Sequence, residues 1–141
     1  MTDDESTIRS SAGAGTTVDS TAIAAELGRV TAHWTPRVVG RVNDQYVKVA
    51  KLLGELVWHA HYDEDEMFLV VSGRLTIQLE GDREVHLGPG EFYVVPRGVQ
   101  HNPIAQEEVE IVLIETVTTA HTGNVVVEGT VPLEDQVGSF G

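Results

Sequence analysis

The sequence predicts an all-β protein that folds as an antiparallel sandwich or barrel. Short apolar runs recur along the chain, with turn-forming residues between them. Two hairpin turns are indicated, at residues 43–44 and 80–83. Within several runs apolar and polar residues alternate, which is typical of strands that bury one face of a sheet.

The first predicted element is a short amphipathic helix that packs on the outside of the fold. Residues 1–18 are polar and have no apolar periodicity, so we expect a disordered acidic and polar tail there. Residues 19–21, Asp-Ser-Thr, offer a helix N-cap. Ile23 and Leu27 then follow at helical spacing, and Gly28 suits the helix end.

The remaining elements are predicted strands. Residues 37–53 are rich in valine and alternate around the first turn, which indicates two strands. Residues 67–71 are apolar on both faces, so this strand is either buried on both sides or packed against a partner subunit. Further strands are predicted at residues 75–79, 84–87, 92–95, 109–114 and 125–127.

Composition limits the classes of function. With 141 residues the chain fits one domain. Its net charge is −13, from 22 acidic and 9 basic residues, which disfavours binding to nucleic acid or to an anionic membrane. The absence of cysteine excludes disulfides and thiolate metal sites. No apolar run is long enough to span a bilayer and no secretory leader is evident, so we expect a cytoplasmic protein.

Four residues form a candidate metal site. His59 and His61 are two apart, so on a strand their imidazoles point to the same face. Glu66 follows after a short acidic turn, and His101 comes much later, after another strand-like run. Three imidazoles and one carboxylate suit one divalent transition-metal ion: Mn, Fe, Co, Ni, Cu or Zn.

These residues resemble the two motifs of the small single-domain cupins, the group described as RmlC-like or mannose-6-phosphate-isomerase-like. The first motif is matched by Gly54, His59, His61, Glu66 and Gly73, and the second by Gly90, Pro96, Gly98 and His101. The resemblance implies a double-stranded β-helix, the jelly-roll barrel, over residues 19–127, with 128–141 as a C-terminal extension. It also implies that His101 meets the other three ligands.

Two positions depart from the motif pattern. The gap from Gly54 to His59 is one residue shorter than usual, and Ala105 stands where the second motif has an asparagine. Neither departure removes a ligand. Both indicate a slightly altered loop and pocket rim.

Several neighbouring residues compete for roles in the site. Asp65 is the rival of Glu66 as carboxylate ligand, but adjacent strand residues face opposite sides. Phe68 and Val70 share the parity of Glu66 and are candidates to line the pocket, as is Tyr46. Trp58 has the opposite parity to the two histidines and is expected to face away. The histidines outside the motifs are interpreted as surface or loop residues: His33, His86 and His121.

Three functions fit such a site. The first is a metal-dependent enzyme that acts on a small polar metabolite by oxygenation, isomerisation or lyase chemistry. The second is a non-catalytic cupin that binds a small molecule or a metal, and the third has an ion that only holds the barrel together. No catalytic base is identified from spacing alone. We expect a small-molecule ligand and, because the two-faced apolar strand needs cover, a homodimer.

Overall fold

The computed structural model describes residues 15–120 and Gly123. Within this part of the chain there are one helix and seven strands, all paired antiparallel, so the all-β prediction is confirmed. The elements are α1 (Ile23–Leu27), β1 (Arg37–Val42), β2 (Gln45–Glu55), β3 (Glu66–Ser72), β4 (Leu75–Leu79), β5 (Arg83–Leu87), β6 (Phe92–Val95) and β7 (His101–Thr116). The predictions for the first 14 residues, for His121, for a strand at 125–127 and for the extension at 128–141 lie outside the described residues.

The long strand β7 organises the barrel. Its second part lies between β2 and β3, in a sheet with the order β1-β2-β7-β3-β6. Its first part pairs with β4, which in turn pairs with β5. Strand β7 therefore takes part in both groups of strands. Its first residue, His101, pairs with Leu79 on β4. Its penultimate residue, Glu115, pairs with Glu66 on β3.

Alternating side chains of these strands fill the barrel. Phe68 and Val70 of β3, Ile77 of β4, and Ile111 and Leu113 of β7 belong to one buried apolar cluster. Each is at most 6% exposed. The same parity places Glu66 and Glu115 inside the barrel, at the end of this apolar cluster.

The short helix covers the outer face of the sheet. Leu27 is 1% exposed and packs with Val49 of β2 and Val112 of β7. The prediction of a cap among residues 19–21 is wrong, because Ala22 is the N-cap and no side chain caps the helix. Instead the Ala22 carbonyl accepts a hydrogen bond from the Glu26 N–H at 3.0 Å. In the described residues no helix has the length and apolar character that crossing a membrane requires.

Two further expectations need correction. The segment around His59 is not a strand but an extended loop with a single bridge to His101. Conversely, residues 101–108 were not predicted as strand, yet they form the first half of β7. Pro103 and two glutamates interrupt the apolar pattern there, and pairing with β4 and the end of β2 overrides the local sequence.

Replacing Gly73 by alanine should destabilise the fold by about 2–4 kcal/mol, because two costs add. Gly73 has φ +87°, and an added Cβ would lie 2.7 Å from the Glu108 carbonyl oxygen. Gly90 is the matched control, since it has φ +83° but open space where the Cβ would point. Urea unfolding should show the Gly90 variant losing only about 1–2 kcal/mol. Equal losses at the two positions would contradict the packing argument.

Candidate metal centre

Backbone hydrogen bonds bring the two distant histidine segments together. The His59 N–H donates to the His101 carbonyl at 3.0 Å, and the His101 N–H donates to the His59 carbonyl at 2.8 Å. The Gly98 N–H donates to the His61 carbonyl at 2.8 Å. Glu66 opens β3 beside them, so each predicted ligand is fixed by backbone pairing.

The four predicted ligands lie in one buried cluster. His59, His61, Glu66 and His101 are between 0% and 5% exposed, and one potential donor atom of each lies within 4.8 Å of the others. Two ligands of one ion, with bonds of about 2.0–2.2 Å, can be at most about 4.4 Å apart. Small side-chain rotations are therefore enough to close this set around an ion.

Backbone carbonyls fix the orientation of two of the imidazoles. His59 Nδ1 lies 2.7 Å from the Val57 carbonyl oxygen, and His101 Nδ1 lies 3.0 Å from that of Val99. Only an N–H can donate to a carbonyl, so both rings carry a proton on Nδ1, and Nε2 is the ring nitrogen that a metal ion could use. This is the tautomer that an Nε2 metal ligand requires.

Two of the Nε2 atoms face the Glu66 carboxylate, where either a proton on each ring nitrogen or one shared metal ion would link the three groups. His101 Nε2 lies 3.3 Å from Glu66 Oε1, and His61 Nε2 lies 3.2 Å from the same oxygen. Both ring nitrogens of His61 are buried, and among the described residues neither meets the geometry of a hydrogen bond, although Nε2 faces Glu66. Buried polar atoms without partners are costly, so this arrangement fits residues that share a metal ion.

The protonation states of His59 and Glu66 fit the same assignment. Burial, together with the nearby His101, lowers the pKa of His59 to about 4, so this imidazole is neutral at pH 7. Burial alone would raise the pKa of Glu66, but contacts with Glu115, His101 and His61 hold it well below its usual range. Burial also opposes a charge on His61, yet the Glu66 carboxylate outweighs it and raises the pKa of His61. Glu66 is thus an ionised carboxylate among imidazoles.

A buried ion pair between Lys48 and Glu115 lies next to Glu66, and it was not predicted from the sequence. Glu115 on β7 is the cross-strand neighbour of Glu66, and its Oε2 accepts a hydrogen bond from Lys48 Nζ at 2.5 Å. Lys48 is 0% and Glu115 2% exposed. Burial and the charge of Glu66 raise the pKa of Glu115 well above its usual range. The two carboxyl groups therefore tend to share one proton, and Lys48 neutralises the charge that remains.

The neighbouring residues and histidines that were not predicted as ligands lie outside the cluster. Asp65 is exposed and accepts a hydrogen bond from the Arg97 N–H at 2.8 Å, so it points away from the histidines. Trp58 is 44% exposed, as its parity predicted. His33 and His86 are on the surface beside Glu108 and Glu84, respectively.

A small cavity reaches the cluster from inside the barrel. Its volume is about 30 Å³, and His59, Glu66 and Glu115 form its polar end. Of the three predicted lining residues, Phe68 lines it. Val70 lies in the core and Tyr46 near Lys48, with its ring centre 5.8 Å from Nζ, and neither is among the described lining residues.

The fold and the cluster define a β-barrel protein with a three-histidine, one-glutamate centre. A family model described as a cupin domain matches residues 47–117, which is 71 of the 141 residues. The chain belongs to the cupin family. The matched segment contains all four residues of the cluster as well as Lys48 and Glu115.

Solved and curated relatives agree with this family. A cupin-2 domain containing protein from Shewanella frigidimarina is 42% identical, with a TM-score of 0.66 over 68% of this chain and 93% of that one. An uncharacterized protein, YdbB, from Bacillus subtilis is 35% identical over 63 residues, 45% of this chain and 56% of YdbB. Acireductone dioxygenase from Rhodopseudomonas palustris is 43% identical over 47 residues, 32% of this chain and 28% of that enzyme. The chain thus spans less than two thirds of these two curated relatives.

Proposed function

We propose that this cupin is a metal-dependent enzyme that acts on a small molecule. It would hold one divalent transition-metal ion through His59, His61, Glu66 and His101. The observation that carries the proposal is the convergence of these three imidazoles and one carboxylate, each at most 5% exposed, with one potential donor atom of each within 4.8 Å of the others. One ion at the centre of this cluster would bond to all four donor atoms.

We further propose that the reaction belongs to the oxygenase class and that the ion is iron. Four protein ligands leave coordination positions open on an ion that takes six, and an iron ion supplies dioxygen chemistry when bound. The similarity to acireductone dioxygenase supports this choice over isomerase or lyase chemistry. The same four ligands also suit Mn, Co, Ni, Cu and Zn. The ion must therefore be identified by measurement.

The chain's own residues would organise the reaction. The carbonyls of Val57 and Val99 hold two imidazoles in one tautomer. Glu115, which is paired with Lys48, lies beside Glu66 on the neighbouring strand and would hold it in place. The apolar lining of the cavity beside His59 and Glu66 would lower the local dielectric constant, which strengthens electrostatic contacts there.

Nitric oxide, a surrogate for dioxygen, tests whether coordination positions are open. The protein is loaded anaerobically with Fe(II) and titrated with nitric oxide while electron paramagnetic resonance is recorded. We expect the signal of a high-spin iron–nitrosyl centre, at about one per chain. Bound iron that gives no such signal would mean a closed coordination shell, as expected for an ion that only holds the barrel together.

Oxygen uptake separates an enzyme from a binding module. If the iron-loaded protein binds nitric oxide but consumes no dioxygen with any of a panel of small organic acids and phenols, the alternative of a non-catalytic binding cupin gains support.

We also propose that the protein is a homodimer. Apolar side chains on the strands remain exposed in the single chain: Val42 at 61%, Phe92 at 59%, Val94 at 41% and Val71 at 36%. A second copy would cover them, and self-pairing is the commonest form of assembly. Sedimentation velocity should give the mass of two chains at micromolar concentration, whereas a single species of 15.3 kDa would contradict the proposal.

A further inference from the structure

The wall of the cavity beside the metal centre is almost entirely apolar. Beyond the polar end formed by His59, Glu66 and Glu115, its described lining is made of apolar and aromatic side chains. The larger of these side chains are Trp34, Leu52, Leu56, Phe68, Ile111 and Leu113. They come from four different parts of the chain, so the apolar character belongs to the whole wall.

The wall offers little that could bind a polar ligand body. Among the described lining residues there is no Lys, Arg, Ser, Thr, Asn or Gln. The one further polar side-chain atom, Trp34 Nε1, already donates to the Leu53 carbonyl at 2.7 Å. A sugar hydroxyl or a phosphate placed here would lose its water and find no partner, which is costly.

The wall is also held in place. The Trp34 N–H donates to the Lys51 carbonyl at 2.9 Å, in addition to the indole contact. Trp34 has φ +57°, a backbone conformation that a bulky residue adopts only when its surroundings enforce it. Two hydrogen bonds therefore fix this ring against the core cluster, and the apolar surface is present before any ligand arrives.

From this lining we infer that the ligand is a small molecule with an apolar body of a few carbon atoms and oxygen atoms at one end that bind the ion. This inference rests on the proposed metal centre. It narrows the class of ligand, because the sequence predicted only a small polar metabolite. The volume of about 30 Å³ limits the part of this body inside the cavity to about one or two carbon-sized groups. Pockets that enclose drug-sized ligands measure about 300–1,000 Å³, so only a short group fits beside the ion.

Matched hydroxamates test the inference without knowledge of the substrate. Propionohydroxamate and glycolohydroxamate have the same metal-binding head and nearly the same size, but the first ends in a methyl group and the second in a hydroxyl. Binding is measured on the Co(II)-loaded protein from the change in its visible spectrum. We expect propionohydroxamate to bind at least about tenfold more tightly, since the buried hydroxyl finds no partner.

A pair of leucine variants links the preference to the wall. Leu56 is half-buried in the loop and lines the cavity, whereas Leu53, three residues earlier, is 43% exposed and does not. Leu56→Asn should bring the ratio of the two affinities to within about threefold, because the amide can bind the hydroxyl. Leu53→Asn should keep the wild-type ratio.

The outcomes are distinguishable. Cobalt that fails to bind would overturn the proposed metal centre, and the ligand class with it. Cobalt that binds, together with glycolohydroxamate affinity equal to or above that of propionohydroxamate, would overturn the ligand class alone. A preference that persists in Leu56→Asn would also contradict it, because the discrimination would not come from this wall.

Discussion

Replacing His61 by alanine is expected to leave a folded barrel that binds almost no metal. His61 lies outside the strands, and among the described residues its polar side-chain contact is that of Nε2 with Glu66, so its removal breaks little besides the site itself. In the metal-free state, the free energy of unfolding of the variant should lie within about 1 kcal/mol of the wild-type value. Loss of one of four ligands should lower metal affinity by more than about a hundredfold, since even the outer partners of ligands are worth about 10- to 100-fold.

His86→Ala is the matched control, because this imidazole is exposed on β5 and far from the cluster in the fold. Metal content by elemental analysis and unfolding by circular dichroism are measured on both variants. His86→Ala should keep the wild-type content. A His61→Ala protein with normal metal content would remove this residue from the site.

Replacing Lys48 by methionine is expected to cost about 3–5 kcal/mol of stability in the metal-free protein, the largest effect predicted for any single side chain here. Methionine fills most of the same space, so the cost is mainly electrostatic. Lys48 is fully buried and faces Glu115, which in turn faces Glu66. Without the ammonium group, the negative charge of the two carboxyl groups remains in the interior with no cation from β2.

A second substitution separates charge from packing. In Lys48→Met with Glu115→Gln, one cation and one acid are removed together, and the glutamine amide can still donate to Glu66. We expect the double variant to recover at least half of the lost stability in urea unfolding. A single Lys48→Met variant within about 1 kcal/mol of the wild type would contradict the role of this ion pair.

Much of the architecture could be predicted because it is encoded locally. The turn at 43–44 and the hairpin at 80–83 have residues with positive φ at Asn43, Gly81 and Asp82, which Asn, Gly and Asp tolerate best. Strands β4 and β5 alternate in sequence as they alternate in burial. The convergence of the four residues was expected from the resemblance to the two cupin motifs, and the structure brings those side chains together.

The remaining features depend on tertiary contacts. Residues 101–108 contain a proline and two glutamates, and only their pairing with β4 and β2 makes them a strand. The acceptors that orient His59 and His101 are backbone carbonyls, which every residue carries, so no side-chain pattern marks them.

Lys48 and Glu115 were missed for a related reason. Each has the parity of the core positions on its strand, which was a usable signal, but a charge in such a position is stable only with a partner. The partners are 67 residues apart in the sequence and meet only because β2 and β7 pair. A charged residue at a core-facing position of a predicted strand therefore indicates a buried partner of opposite charge elsewhere in the chain.

Elemental analysis of protein purified without a metal-affinity tag tests the central claim most directly, namely that His59, His61, Glu66 and His101 converge to bind one ion. The account predicts about one transition-metal ion per chain, removable by a chelator and restored by adding the metal, with iron as the expected element. Protein that contains no such ion and takes up none from Fe(II), Mn(II), Co(II), Ni(II), Cu(II) or Zn(II) would contradict it.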